Sequence, residues 1–225
     1  MQINIKKKLE KKDRILLIPI FGEKLDSAPV YARDWIKNRL KKGEVKAKSG
    51  HLTTLFLDDN ELPDNSVILF FDEEKKIKGK EVRNNFAMAV KRIKGLEKCS
   101  EFSVFFAKPL HAFTQELGEA LELANYQPAK YKTGKNKEEQ DKKNILEVNL
   151  ITPDISKKDL ANLDKGLRIG EEVNKVRDLV NGPPNIVSTD YMAEEAEKSA
   201  KENRLKITVL DRKQLEELKM GALLG

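Results

Sequence analysis

Hydrophobic residues in the first two thirds of the chain fall alternately into short unbroken runs and into segments with helical spacing. The runs are predicted to be buried strands at Arg14–Ile20, His51–Leu57, Ser66–Phe71, Glu101–Phe106 and Ile145–Ile151. The helical segments between them are predicted at Ser27–Lys42, Glu81–Lys98 and His111–Asn125. Strands that alternate with helices are typical of an α/β layered fold.

The apolar positions of the predicted helices differ in how clear a stripe they form. In the helix over Ser27–Lys42 they are Val30, Ile36 and Leu40, with Gly43 as a stop. The clearest stripe is in the helix over Glu81–Lys98, where the apolar residues recur every three or four positions: Val82, Phe86, Ala89, Ile93 and Leu96. A polar, lysine-rich stretch over residues 127–144 is predicted to be an exposed loop.

A single long helix is predicted from Ser156 to the turn at Gly182-Pro183-Pro184. Ser156 and Asp159 have the spacing of a capping box, and the two prolines end the helix because neither can donate a backbone hydrogen bond. Apolar residues recur along the helix: Leu160, Leu163, Leu167, Val173, Val176 and Val180. The period predicts that Val176, Leu179 and Val180 face a core. A long helix with no strand inside it is typical of a connector, so we place a domain boundary here: domain 1–155, linker helix 156–182 and second domain 183–225.

Beyond the linker the pattern predicts a helix, a strand and a helix. Ser188 or Thr189 caps a helix that runs to about Glu202, and Leu205–Leu210 (LKITVL) reads as a strand. Asp211 and Gln214 mark the start of a short capped helix. This order begins a second α/β domain, and we expect a segment this short to be an incomplete one.

Composition adds a charged surface and a predicted compartment. The 225 residues carry a net charge of +6, and 36% of them are charged. A single cysteine, Cys99, the lack of a signal-peptide pattern and the lack of a long apolar segment favour a cytoplasmic protein that does not enter the membrane. The basic residues cluster twice, at Lys6, Lys7, Lys8, Lys11, Lys12 and Arg14, and at Lys37, Arg39, Lys41, Lys42, Lys46 and Lys48.

These basic clusters have two interpretations. Acidic residues are spread among them and no aromatic interleaving is visible, which favours a solvated lysine-rich surface over a nucleic-acid site. The alternative, a stand-alone binding module for nucleic acid or another anionic partner, stays open.

No catalytic, cofactor-binding or metal-ligating residue is assigned from the residues themselves. The two histidines, His51 and His111, are far apart and lack the spacing of a metal motif. Cys99 has no nearby cysteine and is interpreted as a packed thiol, and His111 as a capping or surface residue. The glycines of the first domain are isolated, so a phosphate cradle is not expected.

The most specific motif is VRDLVNGPPN, at Val176–Asn185. Together with Ser188–Gly225, with Leu117–Lys135 and with the first strand at Asp13–Phe21, it resembles the cytosolic leucine aminopeptidase (leucyl aminopeptidase) family. The resemblance implies a macrodomain-like, three-layer N-terminal domain, a long linker helix and the entry to a peptidase domain.

The family resemblance also implies an activity. Its members are two-metal hydrolases that release N-terminal amino acids, often leucine, from peptides, with zinc, manganese or cobalt held by carboxylates and one lysine. They assemble as homo-hexamers. The metal ligands are expected in motifs beyond Met220–Leu224, so no family ligand is carried onto a residue of this chain. We therefore expect this portion to be a scaffold and assembly domain, inactive and either monomeric or poorly behaved by itself, whose partner is the rest of the peptidase domain.

Overall fold

The computed structural model describes residues 1–10, 15–22, 25–56, 65–73, 76–96, 99–128 and 144–224. Within these ranges six strands form one sheet: β1 (Gln2–Lys6), β2 (Ile15–Phe21), β3 (Leu52–Phe56), β4 (Asn65–Phe71), β5 (Glu101–Phe105) and β6 (Glu147–Ile151). The helices there are α1 (Val30–Lys41), α2 (Gly79–Lys94), a 3₁₀ helix (Lys108–Phe113), α3 (Thr114–Asn125), α4 (Lys157–Asn181), α5 (Thr189–Glu202), α6 (Arg212–Glu217) and α7 (Gly221–Leu224).

The sheet has the order β1-β6-β5-β2-β4-β3. All neighbouring strands are parallel except β3, which pairs antiparallel with β4 at one edge. Parallel neighbours require crossover connections, and helices α1, α2 and α3 lie in those connections. The five strands and three helices predicted in this part of the chain are therefore confirmed. Most of the loop predicted over residues 127–144 lies outside the described residues.

Strand β2 shows why the predicted strands are unbroken apolar runs. Every residue of β2 is buried, and successive side chains enter two different clusters. Ile15, Leu17 and Phe21 pack on the face that α2 and α3 cover, whereas Leu16 and Ile18 pack on the face that α1 covers. A strand with helices on both faces buries all its side chains, so it shows no polar alternation. The result is a three-layer α/β fold.

Strand β1 was not predicted from the sequence. It pairs with β6 alone, from Gln2 opposite Glu147 to Lys6 opposite Ile151, and so forms the other edge of the sheet. Only Ile3 and Ile5 of this segment are apolar, and Ile5 is exposed. A half-solvated edge strand with two apolar residues beside a run of lysines carries too weak a pattern to detect.

Helix α1 begins at Val30 rather than Ser27, and its buried side contains Ile36 and Leu40 as predicted but not Val30. Val30 is 77% exposed, so its place on the apolar face was wrong. Ala32 and Ile36 are fully buried and Leu40 packs beside them, four residues apart along one face. Val30 precedes Ala32 by two positions, which at 3.6 residues per turn places it on the far side of the helix.

Helix α4 confirms the predicted long helix and both of its ends. The backbone N–H of Asp159 donates to Ser156 Oγ (3.1 Å), and that of Ser156 donates to Asp159 Oδ2 (3.0 Å), which is the expected capping box. The helix ends at Asn181, before Gly182-Pro183-Pro184.

The predicted inward orientation of Val176 and Val180 on α4 was wrong. Their side chains are 58% and 79% exposed. The buried side of α4 is instead set by Leu163, Gly166 and Gly170, which contact α3. Leu163 and Leu167 of the predicted apolar stripe do lie on this side, whereas the two glycines carry no apolar side chain that periodicity could detect.

The chain divides into two compact units, Met1–Arg177 (the first unit) and Asp178–Gly225 (the second unit). In the second unit the capped helices are confirmed, with Ser188 as N-cap of α5 and a capping box between Asp211 and Gln214 on α6. The predicted strand at Leu205–Leu210 was wrong: these residues form no strand and are all exposed. A strand needs a neighbour to accept its hydrogen bonds, and no strand is described in the second unit.

No helix in the described ranges combines the length and the apolar character needed to cross a bilayer.

Candidate functional site

The three residues weighed as candidates for chemistry lie in different parts of the first unit. His51 precedes β3, and its Nε2 lies 3.0 Å from Thr53 Oγ1. Cys99 precedes β5 and is buried, as predicted; its Sγ donates to the carbonyl oxygen of Glu101 (3.4 Å) rather than to a histidine. Burial raises the pKa of Cys99 to about 11, so the thiol stays protonated near neutral pH. This residue is a packed thiol without the features of a nucleophile.

His111 lies in the 3₁₀ helix and contacts the start of α4. Its Nδ1 lies 2.8 Å from Asp159 Oδ2, and its ring meets that of Phe106 edge-on, with centroids 4.8 Å apart. The sequence interpretation of His111 as a capping or surface residue did not anticipate this partner, which is separated from it by 48 positions. A contact between residues so far apart in the chain leaves no local signal in the sequence.

Asp159 is the buried carboxylate of this pair. Burial by itself raises the pKa of Asp159, but the hydrogen bonds from His111 and Ser156 outweigh it and hold the pKa below the ordinary value. Asp159 is therefore ionised near neutral pH and accepts a hydrogen bond from Nδ1–H of His111. With Nδ1 held by Asp159, Nε2 is the ring nitrogen left for another partner.

The arginine of the VRDLVN motif binds the C-terminal end of α3. Arg177 Nη1 donates to the carbonyl oxygen of Leu123 (3.0 Å) and to Asn174 Oδ1 (3.2 Å), and its guanidinium lies over the ring of Tyr126. Asn174 Nδ2 donates to the carbonyl oxygen of Glu122 (3.2 Å). The last carbonyls of a helix have no intrahelical partner, so these two side chains satisfy groups that would otherwise lack one. In the first unit, then, the motif joins α4 to α3.

A third side chain completes the set at this end of α3. Lys94, from the last turn of α2, donates through Nζ to the carbonyl oxygen of Asn125 (2.6 Å). Desolvation by burial lowers the pKa of Lys94 to about 8. Cations at a helix C-terminus are favourable because they face the negative end of the helix dipole. This site is a structural junction of α2, α3 and α4.

The second unit presents a surface rich in apolar side chains. Among its described residues only Ala200 is buried. The large hydrophobic side chains that it exposes are Val180, Ile186, Met192, Leu205, Ile207, Val209, Leu210, Leu218, Met220 and Leu223. Four of them belong to the extended segment Leu205–Leu210. An exposed apolar surface of this extent is typical of interaction sites.

The two metal ions that the family resemblance implies have no matching ligand set in the described part of the chain. No group of three or more His, Cys, Asp or Glu side chains is placed to hold a metal ion there. His111 and Asp159 form a pair, and Ser156, which contacts Asp159, is not a ligand type that would complete a zinc or manganese site. We derive no metal-dependent step for the residues described.

Two family models match the chain. Residues 22–135 match the N-terminal domain of the cytosol aminopeptidase family, and residues 174–225 match the catalytic domain of the same family. The chain belongs to the cytosol aminopeptidase family. The VRDLVNGPPN motif lies at the start of the second match, and the sheet with α1, α2 and α3 contains the first.

Curated relatives match nearly the whole chain but extend well beyond it. A probable cytosol aminopeptidase of Nitrosococcus oceani is 28% identical over 214 residues, which are 91% of this chain and 41% of that protein. The corresponding protein of Solibacter usitatus is 30% identical over 218 residues, 93% of this chain and 42% of the relative. The chain thus spans about two fifths of the length of these relatives.

Solved structures share the fold at low sequence identity. A mutant of tomato leucine aminopeptidase matches 97% of this chain and 46% of its own, with a TM-score of 0.72 and 15% identity. The bottromycin maturation enzyme BotP in complex with Mn matches 91% of this chain and 40% of its own, with a TM-score of 0.64 and 15% identity. At 15% identity these two similarities show that the α/β fold is shared, and nothing more.

Proposed function

We propose that this chain is the N-terminal portion of a leucyl aminopeptidase, that it serves as a scaffold and assembly domain, and that it hydrolyses no peptide by itself. One observation carries the proposal: residues 174–225 match a catalytic domain, yet the second unit buries almost none of its apolar side chains. A segment with family identity but no core of its own depends on further structure for its stability.

The extended segment Leu205–Leu210 is the best-defined part of the proposed assembly surface. Its sequence alternates Ile207 and Val209 with polar residues, as a half-buried strand does, and all six residues are exposed. The N–H of Leu205 donates to the carbonyl oxygen of Ala200 (2.8 Å), but residues 206–210 belong to no described strand, so their backbone groups are available to a neighbouring strand. We propose that it pairs with a strand of the remaining peptidase domain.

The reaction proposed for the full-length enzyme is hydrolytic release of N-terminal amino acids from peptides, in the cytoplasm. The names of the relatives support the activity and the compartment, and the manganese in the BotP complex supports dependence on divalent metal. Two such ions, zinc or manganese, activate water and polarise the scissile carbonyl when they are bound. The peptide substrate, the homo-hexamer and the peptidase domain that holds the metals belong to this same proposal.

The direct test is an assay for release of p-nitroaniline from leucine p-nitroanilide by the purified 225-residue chain. We expect no hydrolysis above that of buffer containing the same concentration of Mn²⁺ or Zn²⁺. A full-length relative, such as the Nitrosococcus oceani protein, is the positive control under identical conditions. Metal-dependent turnover by this chain, retained through a further purification step, would contradict the proposal that the chain hydrolyses no peptide by itself.

A further inference from the structure

A cleft of about 720 Å³ lies in the first unit, at the carboxyl ends of β2, β5 and β6. Residues 26–30, which lead into α1, form one wall. The start of the 3₁₀ helix forms the second, and residues 152–154 after β6 form the third. A cavity of this size suits a ligand larger than a single ion or a water molecule.

The position of the cleft in the sheet is the one at which open α/β sheets bind ligands. After β2 the chain passes through α1 on one face and continues into β3 and then β4, both on one side of β2. After β5 it passes through α3 on the opposite face and returns at β6, on the other side. β2 and β5 are neighbours, so their connections diverge and leave a crevice between them. Ligands bind preferentially at such a topological switch point.

Part of the lining is apolar and rigid. Phe105, which is partly exposed, ends β5, the largely buried Phe106 follows it, and Pro109 and Ala112 belong to the 3₁₀ helix beyond. Pro153 faces them from the third wall. Aromatic and proline rings lose little entropy when a ligand covers them, so this wall suits an apolar side chain.

The rest of the lining carries charges of both signs. Lys108 and Arg33 are cationic, whereas Asp26 and Asp154 are anionic. Arg33 donates to the backbone oxygens of Ala28 and Asp26 (2.9 and 2.8 Å) and so fixes the shape of the β2–α1 loop. A pair of opposite charges on the walls matches a zwitterion better than an anion alone.

The N-terminus of α1 strengthens the cationic side. Its N-cap is Pro29, which makes no side-chain cap, and no acidic residue lies in the first turn. The N–H of Ala32 already donates to the carbonyl oxygen of Pro29 (2.9 Å), whereas the first N–H groups, of Val30 and residue 31, have no acceptor within the helix and favour a carboxylate. Pro29 and Val30 both line the cleft.

His111 contributes a hydrogen-bond acceptor. Asp159 holds its Nδ1, so in the neutral ring Nε2 carries the lone pair, and Nε2 has no hydrogen-bond partner among the described residues. The side chain lines the cleft and is partly exposed. An ammonium group is the complementary donor.

We propose that this cleft binds a short apolar peptide with both termini free, such as a dipeptide of leucine. Its carboxylate faces the α1 N-terminus and Lys108, its ammonium faces Asp154 and His111, and its side chains cover the aromatic wall. A nucleotide fits less well, because the β2–α1 loop has no glycine cluster to approach a phosphate and the lining includes two carboxylates. The proposal rests on the lining alone and does not depend on the function proposed above.

The test is titration of the intact chain with Leu-Leu, followed by amide chemical shifts in NMR spectra. We expect shifts at Val30, Lys108 and Asp154. N-acetyl-Leu-Leu-amide, which lacks both charges, is expected to bind at least about five-fold more weakly, the equivalent of about 1 kcal/mol. Equal affinity for the two peptides, or no shifts at these residues, would overturn the proposal. So would displacement of Leu-Leu by AMP or inorganic phosphate.

Variants at exposed positions separate binding from folding. Lys108→Gln and Asp154→Asn are each expected to weaken Leu-Leu binding about two- to five-fold, as befits exposed ion pairs. Ala112→Trp is expected to fill the cleft and abolish binding. The matched controls Lys165→Gln and Asp164→Asn lie on α4, away from the cleft, and are expected to leave affinity unchanged. If the controls weaken binding as much as the cleft variants do, the assigned site is wrong. Because the readout is binding and not hydrolysis, failure here leaves the aminopeptidase proposal untouched.

Discussion

Arg177 shows how a family motif acts as a structural junction in this chain. The guanidinium bonds the carbonyl oxygen of Leu123 at the end of α3 and covers the ring of Tyr126. Asn174 and Lys94 bond the neighbouring carbonyls of Glu122 and Asn125. Three side chains from two helices thus satisfy the end of a third. Arg177 and Asn174 lose their bonds if α4 separates from α3, and Lys94 loses its bond if α2 separates from α3.

Replacing Arg177 with Met tests this junction. We expect Arg177→Met to lower the free energy of unfolding by about 1 kcal/mol, because a charged hydrogen bond to a half-buried carbonyl is lost. The matched control is Arg168→Met on the same helix, whose side chain is exposed and pairs only with Asp164. Arg168→Met should lower the free energy of unfolding by less than about 0.5 kcal/mol. If urea unfolding shows that both variants lose the same free energy of unfolding, the contact between Arg177 and α3 does not stabilise the fold.

Lys94 makes the stability of the first unit depend on pH. Its pKa is lowered from 10.5 to about 8 by desolvation, so between these values the unfolded chain binds more protons than the folded one. This group therefore makes the folded state more stable as pH rises from about 8 to 10.5. Cys99 acts in the opposite direction, since its pKa is raised from 9.0 to about 11.

The effect of Lys94 is isolated by comparison with Lys94→Met, because Cys99 is present in both proteins. The difference in unfolding free energy, native minus variant, is expected to rise between pH 8 and pH 10.5. Chemical denaturation at half-unit intervals measures it. Two curves that stay parallel over this range would mean that Lys94 is fully solvated in the folded protein.

At the scale of elements, α3 and α4 approach so closely that only glycine fits at the contact. A Cβ added at Gly118 would lie 2.5 Å from the carbonyl oxygen of Leu163, and one added at Gly166 would overlap the backbone of Gln115. Backbone cannot move aside as a flexible side chain does. The absence of side chains at these two positions therefore sets the distance between the helices.

Gly166→Ala is expected to destabilise the first unit by about 1–3 kcal/mol, because the added methyl forces the helices apart. Alanine has a higher helix propensity than glycine, so without the close contact the substitution would raise the free energy of unfolding instead of lowering it. Lys165→Ala, one position away and exposed, serves as the control and should be close to neutral. If thermal unfolding shows that Gly166→Ala is stabilising, the close contact between α3 and α4 does not exist in solution.

The same elements show what the sequence was able to predict. The buried strands and α2 carry dense apolar patterns, and these predictions are confirmed. Strand β1 was missed because a half-exposed edge strand needs few apolar residues. On α4 the stripe correctly included Leu163 and Leu167, but Val176 and Val180 are exposed, and the contact glycines Gly166 and Gly170 carry no apolar side chain that periodicity detects. His111 and Asp159 are far apart in the sequence, so no local sequence pattern predicts that they form a pair. Leu205–Leu210 has the composition of a strand, and the structure supplies it no partner.

At the scale of the whole molecule, the first unit has a complete core and the second does not. Helices cover both faces of the sheet, whereas Ala200 is the only buried residue described in the second unit. The division into domain 1–155, linker 156–182 and second domain 183–225 stays our proposal. It is compatible with a folded scaffold followed by a segment that depends on further structure.

The net charge of +6 leads to a prediction about the alternative function. Acidic residues are interspersed with the exposed lysines, so we expect duplex DNA to bind this chain only weakly, even at low salt. Fluorescence anisotropy with a labelled duplex at 20 and 200 mM salt measures this. Tight binding at the lower concentration that weakens steeply at the higher one would favour the nucleic-acid module over the scaffold.

The central claim is that this chain works as one part of a larger aminopeptidase. The most direct test is the intact mass of the protein isolated from its native source under denaturing conditions. The account predicts a mass well above 25.7 kDa, the mass of these 225 residues, with peptides that match the remainder of the cytosol aminopeptidase catalytic domain. A native mass of 25.7 kDa, with no companion chain that supplies that remainder, would contradict the claim.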